Sequence, residues 1–280
     1  MKAAVIGADG EMGRWLENHL ADLGYEMLQV DLIRGNGRRE LGKADLAVIS
    51  VPIPVTPDVI NEVSGYMKRG AILAEIASLK DGVVEPLRES AGRGFIPLCV
   101  HPMFGPSTDR LDNKAVALVP IVDQRREMEL AESLFPGAEL IAMDAETHDA
   151  YMAVVLSLPY LVNMSFANIL NGVDLERLRG LGGTTYTLQY TLAQSVVSEK
   201  TELVESLLSQ NRHLDGVLER FLVAMDGVME SVKEGKFKEL HEGIRGTLMA
   251  DSSFFFAQER RRRAYDAIKD HVFKKAGNHD

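Results

Sequence analysis

The chain opens on a pattern that few folds accommodate. Ala3-Ala4-Val5-Ile6 is a short apolar run, and Gly7-Ala8-Asp9-Gly10-Glu11-Met12-Gly13 is a glycine-rich turn. Arg14 to Leu23 then shows helical spacing, with Trp15, Leu16, Leu20 and Leu23 on one apolar stripe. Strand, glycine turn and helix in direct succession form the opening of a dinucleotide-binding unit. Glycines let the backbone approach a pyrophosphate closely, and the start of the helix offers free N–H groups and a positive dipole end. Gly10 and Gly13 match the last two glycines of G-x-G-x-x-G, while Ala8 stands at the first and Gly7 is displaced by one. An ordinary tight turn between strand and helix would use the same glycines. A second strand, Met27 to Val30, ends in Asp31, where an acid would grip ribose hydroxyls and repel a 2′-phosphate. Asp31 therefore favours NAD. Arg34, Arg38 and Arg39 just beyond it keep NADP as the less favoured reading.

Apolar runs and helical patterns then alternate. Strand candidates are Ala44 to Pro52, Gly70 to Ile76, Phe95 to Val100, Val116 to Pro120 and Ala138 to Ile141. Helical patterns lie between them at Val59 to Met67, Val83 to Leu87 and Arg126 to Leu134. Such alternation implies a parallel sheet with helices on its faces, an α/β domain of Rossmann type. Consecutive strands usually lie side by side, so the loop after Ser50, the Ser78-Leu79-Lys80 loop and His101 should gather at one edge around a bound nicotinamide. The cofactor contacts expected are Gly7, Ala8, Asp9, Gly10, Glu11, Met12, Gly13, Asp31, Ser50, Val51, Pro52 and Ile53. His101 ends an apolar run and is followed by Pro102-Met103-Phe104-Gly105-Pro106, which continues neither a strand nor a helix. Imidazole can take a proton near neutral pH, so His101 is a general-base candidate; a satisfied strand-end histidine is the alternative. Ser78 reads as a partner for His101 or a substrate hydroxyl, or as a turn residue. Lys80 reads as a solvated charge or as a contact for an anion of cofactor or substrate.

After Met143 the strand signals stop. A Rossmann-type domain over 1–143 and an all-α domain over 144–280 follow from that change. The Tyr151 to Leu170 stretch carries no charge, and a helix apolar all round is buried, here against a second subunit, which implies a homodimer. Pro159 and Asn163 interrupt it, so no membrane span is expected. A formal net charge of -10 argues against nucleic acid as the main partner. Met1 to Ile6 runs into the glycine turn without a signal-peptide cleavage pattern. The single cysteine, Cys99, excludes an intrachain disulfide and fits the cytoplasm. No metal site is expected.

Gly7 to Gly13, Ser50-Val51-Pro52-Ile53-Pro54-Val55-Thr56, Ala77-Ser78-Leu79-Lys80, His101-Pro102-Met103-Phe104-Gly105-Pro106 and Glu146-Thr147-His148-Asp149 occur in this order. Together they resemble the prephenate dehydrogenase family of tyrosine biosynthesis, over most of the chain. The resemblance implies a Rossmann half followed by a helical dimerisation half. It implies NAD-dependent oxidative decarboxylation of prephenate, a small anion, to 4-hydroxyphenylpyruvate by a cytoplasmic homodimer. His101 would take the ring hydroxyl's proton and Ser78 would orient the hydroxyl or the imidazole. Ser78, Lys80, His101 and Tyr160 would contact the substrate. His148-Asp149 matches the family's His-Asp pair, for which the implied role is capping and hinge contact. Two departures stand out. No Arg or Lys occurs in the Tyr186 to Ser198 stretch, where members often carry a carboxylate-binding arginine, and Tyr160 stands where many have a histidine. Arg177, Arg179, Arg212 and Arg245, with Lys80, are the cations available for a dianion. The alternatives are an arogenate or other hydroxyacid dehydrogenase, and an NAD-binding regulatory module without turnover. A β-hydroxyacid enzyme of this architecture resembles one with a lysine on its interdomain helix, which the charge-free Tyr151 to Leu170 stretch does not supply.

Overall fold

Seven strands form one sheet in the computed structural model, which describes residues 1–30 and 37–276. They are β1 (Lys2–Ile6), β2 (Glu26–Leu28), β3 (Leu46–Ile49), β4 (Ile72–Glu75), β5 (Ile96–Pro102), β6 (Ala115–Leu118) and β7 (Glu139–Ala142), in the spatial order β2-β1-β3-β4-β5-β6-β7. The helices α1 (Glu11–Asp22), α2 (Gly37–Leu41), α3 (Thr56–Ser64), α4 (Val84–Gly92) and α5 (Gln124–Leu134) lie between them in sequence. β1 to β5 pair in parallel, as the alternating pattern requires. β6 departs from the all-parallel expectation and runs antiparallel to β5. The reason is the connection. Residues 103–114 contain no helix that could carry the chain back across the sheet, and a parallel return needs such a crossover.

Successive strand residues point to opposite faces, and both faces are covered. Ala4, Ile6, Ile49, Leu73 and Cys99 pack on Ile60 and Val63 of α3 and Leu87 of α4. Val5, Val48, Leu98 and Val100 pack on Leu16 and Leu20 of α1 and Leu134 of α5. Each fully buried leucine among these contributes about 1.5–3 kcal/mol relative to exposure.

The chain leaves β1 toward β2 on one side and returns to β3 on the other, so the sheet reverses its strand order between β1 and β3. Ligands bind at the carboxyl ends of strands beside such a reversal. Gly7 occupies that position with φ +95°, and a Cβ there would lie 2.1 Å from the Ser50 carbonyl oxygen. Gly13 sits inside α1, where a Cβ would lie 2.1 Å from the Gly7 carbonyl oxygen.

From Met143 onward the described chain is helical. α6 (Ala145–Met152) continues through a five-residue π-helical stretch, Ala153–Ser157, into α7 (Leu158–Ile169). α8 (Leu175–Leu181), α9 (Thr184–Ser198), α10 (Thr201–Ser209), α11 (Leu214–Lys233), α12 (Phe237–Leu248) and α13 (Ala257–Ala276) follow. Two compact units result, residues 1–156 with 201–213, and residues 157–200 with 214–280. The division falls later than 143/144 because α6 is bonded to the sheet domain, as described below.

The Ala145–Ile169 run is long and apolar enough to cross a bilayer by length and composition. Its interruptions have protein partners. Asn163 Nδ2 donates to the Pro159 carbonyl at 2.8 Å, and its Oδ1 accepts from Gln189 Nε2 of α9 at 2.9 Å. The second unit exposes many large apolar side chains, among them Val223 and Met229 of α11, Ile244 of α12, and Phe255 and Phe256.

In an ordinary helix interior Gly→Ala stabilises. At Gly13 the methyl meets backbone instead. Gly13→Ala is expected to destabilise the fold by about 1–3 kcal/mol in urea titration, as overpacking does; a raised midpoint would contradict this geometry.

Candidate active site

β5 carries His101 to the carboxyl edge of the sheet, where it pairs with Ala117 of β6 and is 6% exposed. Its Nδ1 lies 3.1 Å from Nε2 of His148 on α6, with the rings 5.3 Å apart at 65°. His148 is fully buried, and its Nδ1 lies 2.7 Å from Asp149 Oδ1. The Asp149 carboxylate also accepts the backbone N–H of Lys80, at 2.9 and 3.1 Å to its two oxygens, and that of Asp81 at 2.9 Å. Asn211 Nδ2 donates to the Asp149 carbonyl at 2.9 Å, which holds the helix from its other side. His148-Asp149 therefore does not cap α6. Asp144 does, accepting the Thr147 N–H at 2.8 Å. The capping role expected for the pair falls to Asp144; Asp149 instead ties the helix to the loop after β4, and His148 links it to His101.

A second buried group lies behind the first. Glu75 and Lys80 are both fully buried, with Lys80 Nζ 2.6 Å from Glu75 Oε1 and 2.7 Å from the Val100 carbonyl. Glu75 accepts also from Cys99 Sγ at 2.9 Å and from the Ala77 N–H at 2.8 Å. Burial, chiefly, together with the Glu75 charge, pushes the Cys99 thiol well up, so it stays protonated and inert. The Lys80 ammonium is consumed internally, which corrects the expectation that it contacts a substrate or cofactor anion. Glu75 was missed, although its signal was present: a charge within the apolar Ala71 to Ile76 run must be paired if that run is a buried strand.

The electrostatics make His101 a neutral imidazole. Burial, then the Lys80 ammonium, then His148, hold its pKa well below the ordinary value of 6.5. Ser78 is partly buried in the loop after β4. The imidazole's Nδ1 is taken by His148, so orientation of the ring falls to His148. Tyr160 lies on α7 in the other unit, and burial, then the Glu199 charge, raise its phenol pKa.

At the other end of the same sheet edge the glycine turn has the shape of a phosphate cradle. Gly10 caps α1 without a side-chain bond, which leaves the first-turn N–H groups of Glu11, Met12 and Gly13 to an anion. Ala8 is accommodated beside Gly13. Asp9 and Glu11 are exposed, as is Pro52; Ser50, Val51 and Ile53 are partly buried after β3. Asp31, expected on the ribose, lies outside the described residues, as does Arg34.

Comparison with known sequences agrees with this geometry. The sequence profile of the prephenate dehydrogenase nucleotide-binding domain matches residues 2–143, and that of the prephenate dehydrogenase dimerization domain matches residues 144–246. The chain belongs to the prephenate dehydrogenase family. A probable arogenate/prephenate dehydrogenase of Methanocaldococcus jannaschii is 26% identical over 288 residues, covering 95% of this chain but 63% of that protein. A 4-amino-4-deoxyprephenate dehydrogenase of Streptomyces pristinaespiralis is 26% identical over 271 residues, covering 88% of this chain and 91% of its own length. Synechocystis arogenate dehydrogenase has the same fold, with a TM-score of 0.71 at 20% identity over 91% of this chain and 100% of its own. So has the A. aeolicus prephenate dehydrogenase crystallised with hydroxyphenyl propionate and NAD+, with a TM-score of 0.69 at 18% identity over 90% and 99% of the two chains.

The buried Lys80–Glu75 pair contributes to stability besides setting its charge near His101. Lys80→Met leaves Glu75 as an unpaired buried charge and is expected to cost about 3–5 kcal/mol in urea titration. Combining it with Glu75→Leu should restore part of that loss. A Lys80→Met protein of full stability but weakened substrate binding would return Lys80 to the crevice.

Proposed function

We propose that the protein is an NAD-dependent dehydrogenase that oxidatively decarboxylates prephenate to 4-hydroxyphenylpyruvate, the step that leads to tyrosine. The observation that carries this reading is the buried imidazole of His101 at the strand ends that also bear the glycine cradle. Gly7, Gly10 and Gly13, with the N–H groups of the first turn of α1, would hold the pyrophosphate of NAD, and Ser50, Val51, Pro52 and Ile53 would flank the nicotinamide half. NAD, when bound, would supply the hydride acceptor for the carbon that bears the hydroxyl. His101 Nε2 accepts the hydroxyl hydrogen as that carbon becomes a carbonyl, and Ser78 aligns the hydroxyl. Loss of CO2 and aromatisation are driven by the substrate itself, so the protein's work is alignment and proton placement.

Arogenate is the second reading, and the distribution of cations favours it. Prephenate is a dianion, whereas the ammonium of arogenate offsets one of its carboxylates. Lys80 is sequestered, and Arg212 pairs with Asp81 and Glu146. Exposed Arg177, Arg179 and Arg245 are the candidates left for a carboxylate. The apolar surface of the second unit fits a homodimer, since a patch of that extent is rarely left in water. A free buried cysteine fits a soluble cytoplasmic enzyme.

The test is to mix protein, NAD and either prephenate or arogenate and follow the absorbance of the reduced nicotinamide. Turnover of at least one is expected, with His101→Asn lowering kcat by about 10²–10⁴-fold, the usual worth of a general base. NAD affinity should be unchanged in that variant. Absence of turnover with both substrates would sink the reading, and full activity of His101→Asn would remove the base.

A further inference from the structure

The hydrogen bonds of the buried cluster constrain one another. A carboxylate accepts only, so the 2.7 Å bond to Asp149 places a hydrogen on His148 Nδ1. With one N–H, as a neutral imidazole in the resting relay carries, His148 would bear its lone pair on Nε2. That lone pair faces His101 Nδ1 at 3.1 Å, which must donate. The lone pair of His101 is thereby assigned to Nε2, the atom not engaged in the cluster. One buried carboxylate thus selects the tautomer of a ring two links away.

We propose that His101 and His148 form a two-ring proton relay, in which His148 fixes the base tautomer of His101 and carries the positive charge while the substrate's proton is held. The proposal rests on the dehydrogenase reading above and deepens it. The proton of the substrate hydroxyl passes to His101 Nε2, and the oxygen keeps the O–H electron pair to close the carbonyl as hydride departs to NAD. The hydrogen on His101 Nδ1 passes to His148 Nε2. His101 is again neutral, and His148 becomes an imidazolium against Asp149. When the carboxylate leaves as CO2, its C–C electron pair restores the ring and the oxygen becomes a phenolate. The phenolate recovers the proton from His101 Nε2, and both transfers reverse. No net proton is released, and every nitrogen in the cluster keeps a partner in both states.

The surrounding charges favour this placement. From the loop after β4, Lys80 sets a positive charge toward His101, balanced by Glu75 of β4 behind it. Cys99 of β5 stays a neutral thiol. From α6, Asp149 sets its negative charge directly against His148. Asp81 and Glu146 share the single charge of Arg212 at the surface. An imidazolium is therefore resisted at His101, while the Asp149 carboxylate 2.7 Å from Nδ1 supplies a counter-charge beside His148. His148 is a positioning residue that also stores the proton, and these two roles can be separated.

The first measurement uses the ligand-free wild-type protein. Nitrogen NMR of the protein with labelled histidine, with the His101 signals assigned by their loss in His101→Asn, should show hydrogen on Nδ1 and a lone pair on Nε2. The reverse tautomer would overturn the proposal whatever the enzyme's substrate. The second uses His148→Gln, whose amide oxygen can accept from His101 Nδ1 and keep the tautomer but cannot take up a proton. The relay expects the NMR pattern of His101 to persist while kcat falls by about 10-fold or more, a part of the ~10²–10⁴-fold worth of a general base, with KM little changed. His148→Gln with wild-type kcat and an unshifted pH profile would reduce His148 to a structural contact. Asp149→Asn should invert both tautomers through its donating amide and lower kcat by about 10³–10⁴-fold, as a reversed tautomer does in a triad. A wild-type protein inactive on both substrates would instead count against the dehydrogenase reading, so the two failures are distinct.

Discussion

The arrangement depends on a single carboxylate. Asp149 accepts the Nδ1–H of His148 and the backbone N–H groups of Lys80 and Asp81, and it is 3% exposed. It thereby fastens the start of the long helix to the loop after β4. The same atoms that hold the helix also reach, through His148, the ring of His101. An uncompensated charge at this depth would be costly, and three donors on one carboxylate offset that cost.

Two of the domain's buried charged groups lie beside His101. Glu75 and Lys80 close on each other and tie β4 to the Val100 carbonyl of β5. His148 and Asp149 close on each other and reach His101. The His101 ring experiences burial and a nearby ammonium, both of which keep it neutral. A ring held neutral would need no prior deprotonation to act as the proposed base, and a neighbour able to share the proton would offset its weaker basicity.

Much of this was legible in the sequence, and the failures have physical causes. The Gly7 to Gly13 turn and the succession of buried strands along the chain followed from local rules, because a glycine at φ +95° and strands buried on both faces leave strong compositional traces. Ser78 and His101 were placed at one edge by the rule that successive parallel strands are neighbours. The antiparallel β6 was missed because strand direction depends on a connection whose lack of a helix leaves only a weak signal. Lys80 was misjudged because its role lies in Glu75, and pairing between two strand-end residues is a tertiary fact. His148-Asp149 was recognised as a motif but given a capping role. Only the fold shows that the helix turns that pair inward, 47 residues along the chain from its partner histidine. The Asn211 bond to the Asp149 carbonyl had no sequence signal at all.

The most direct test is an NMR titration of the His101 imidazole in the ligand-free protein. The account predicts a ring that stays neutral well below the ordinary value of 6.5, because burial and Lys80 both oppose its protonation. A midpoint at or above 6.5 would mean that the ring is solvated or paired with an anion, and the base described here would not exist.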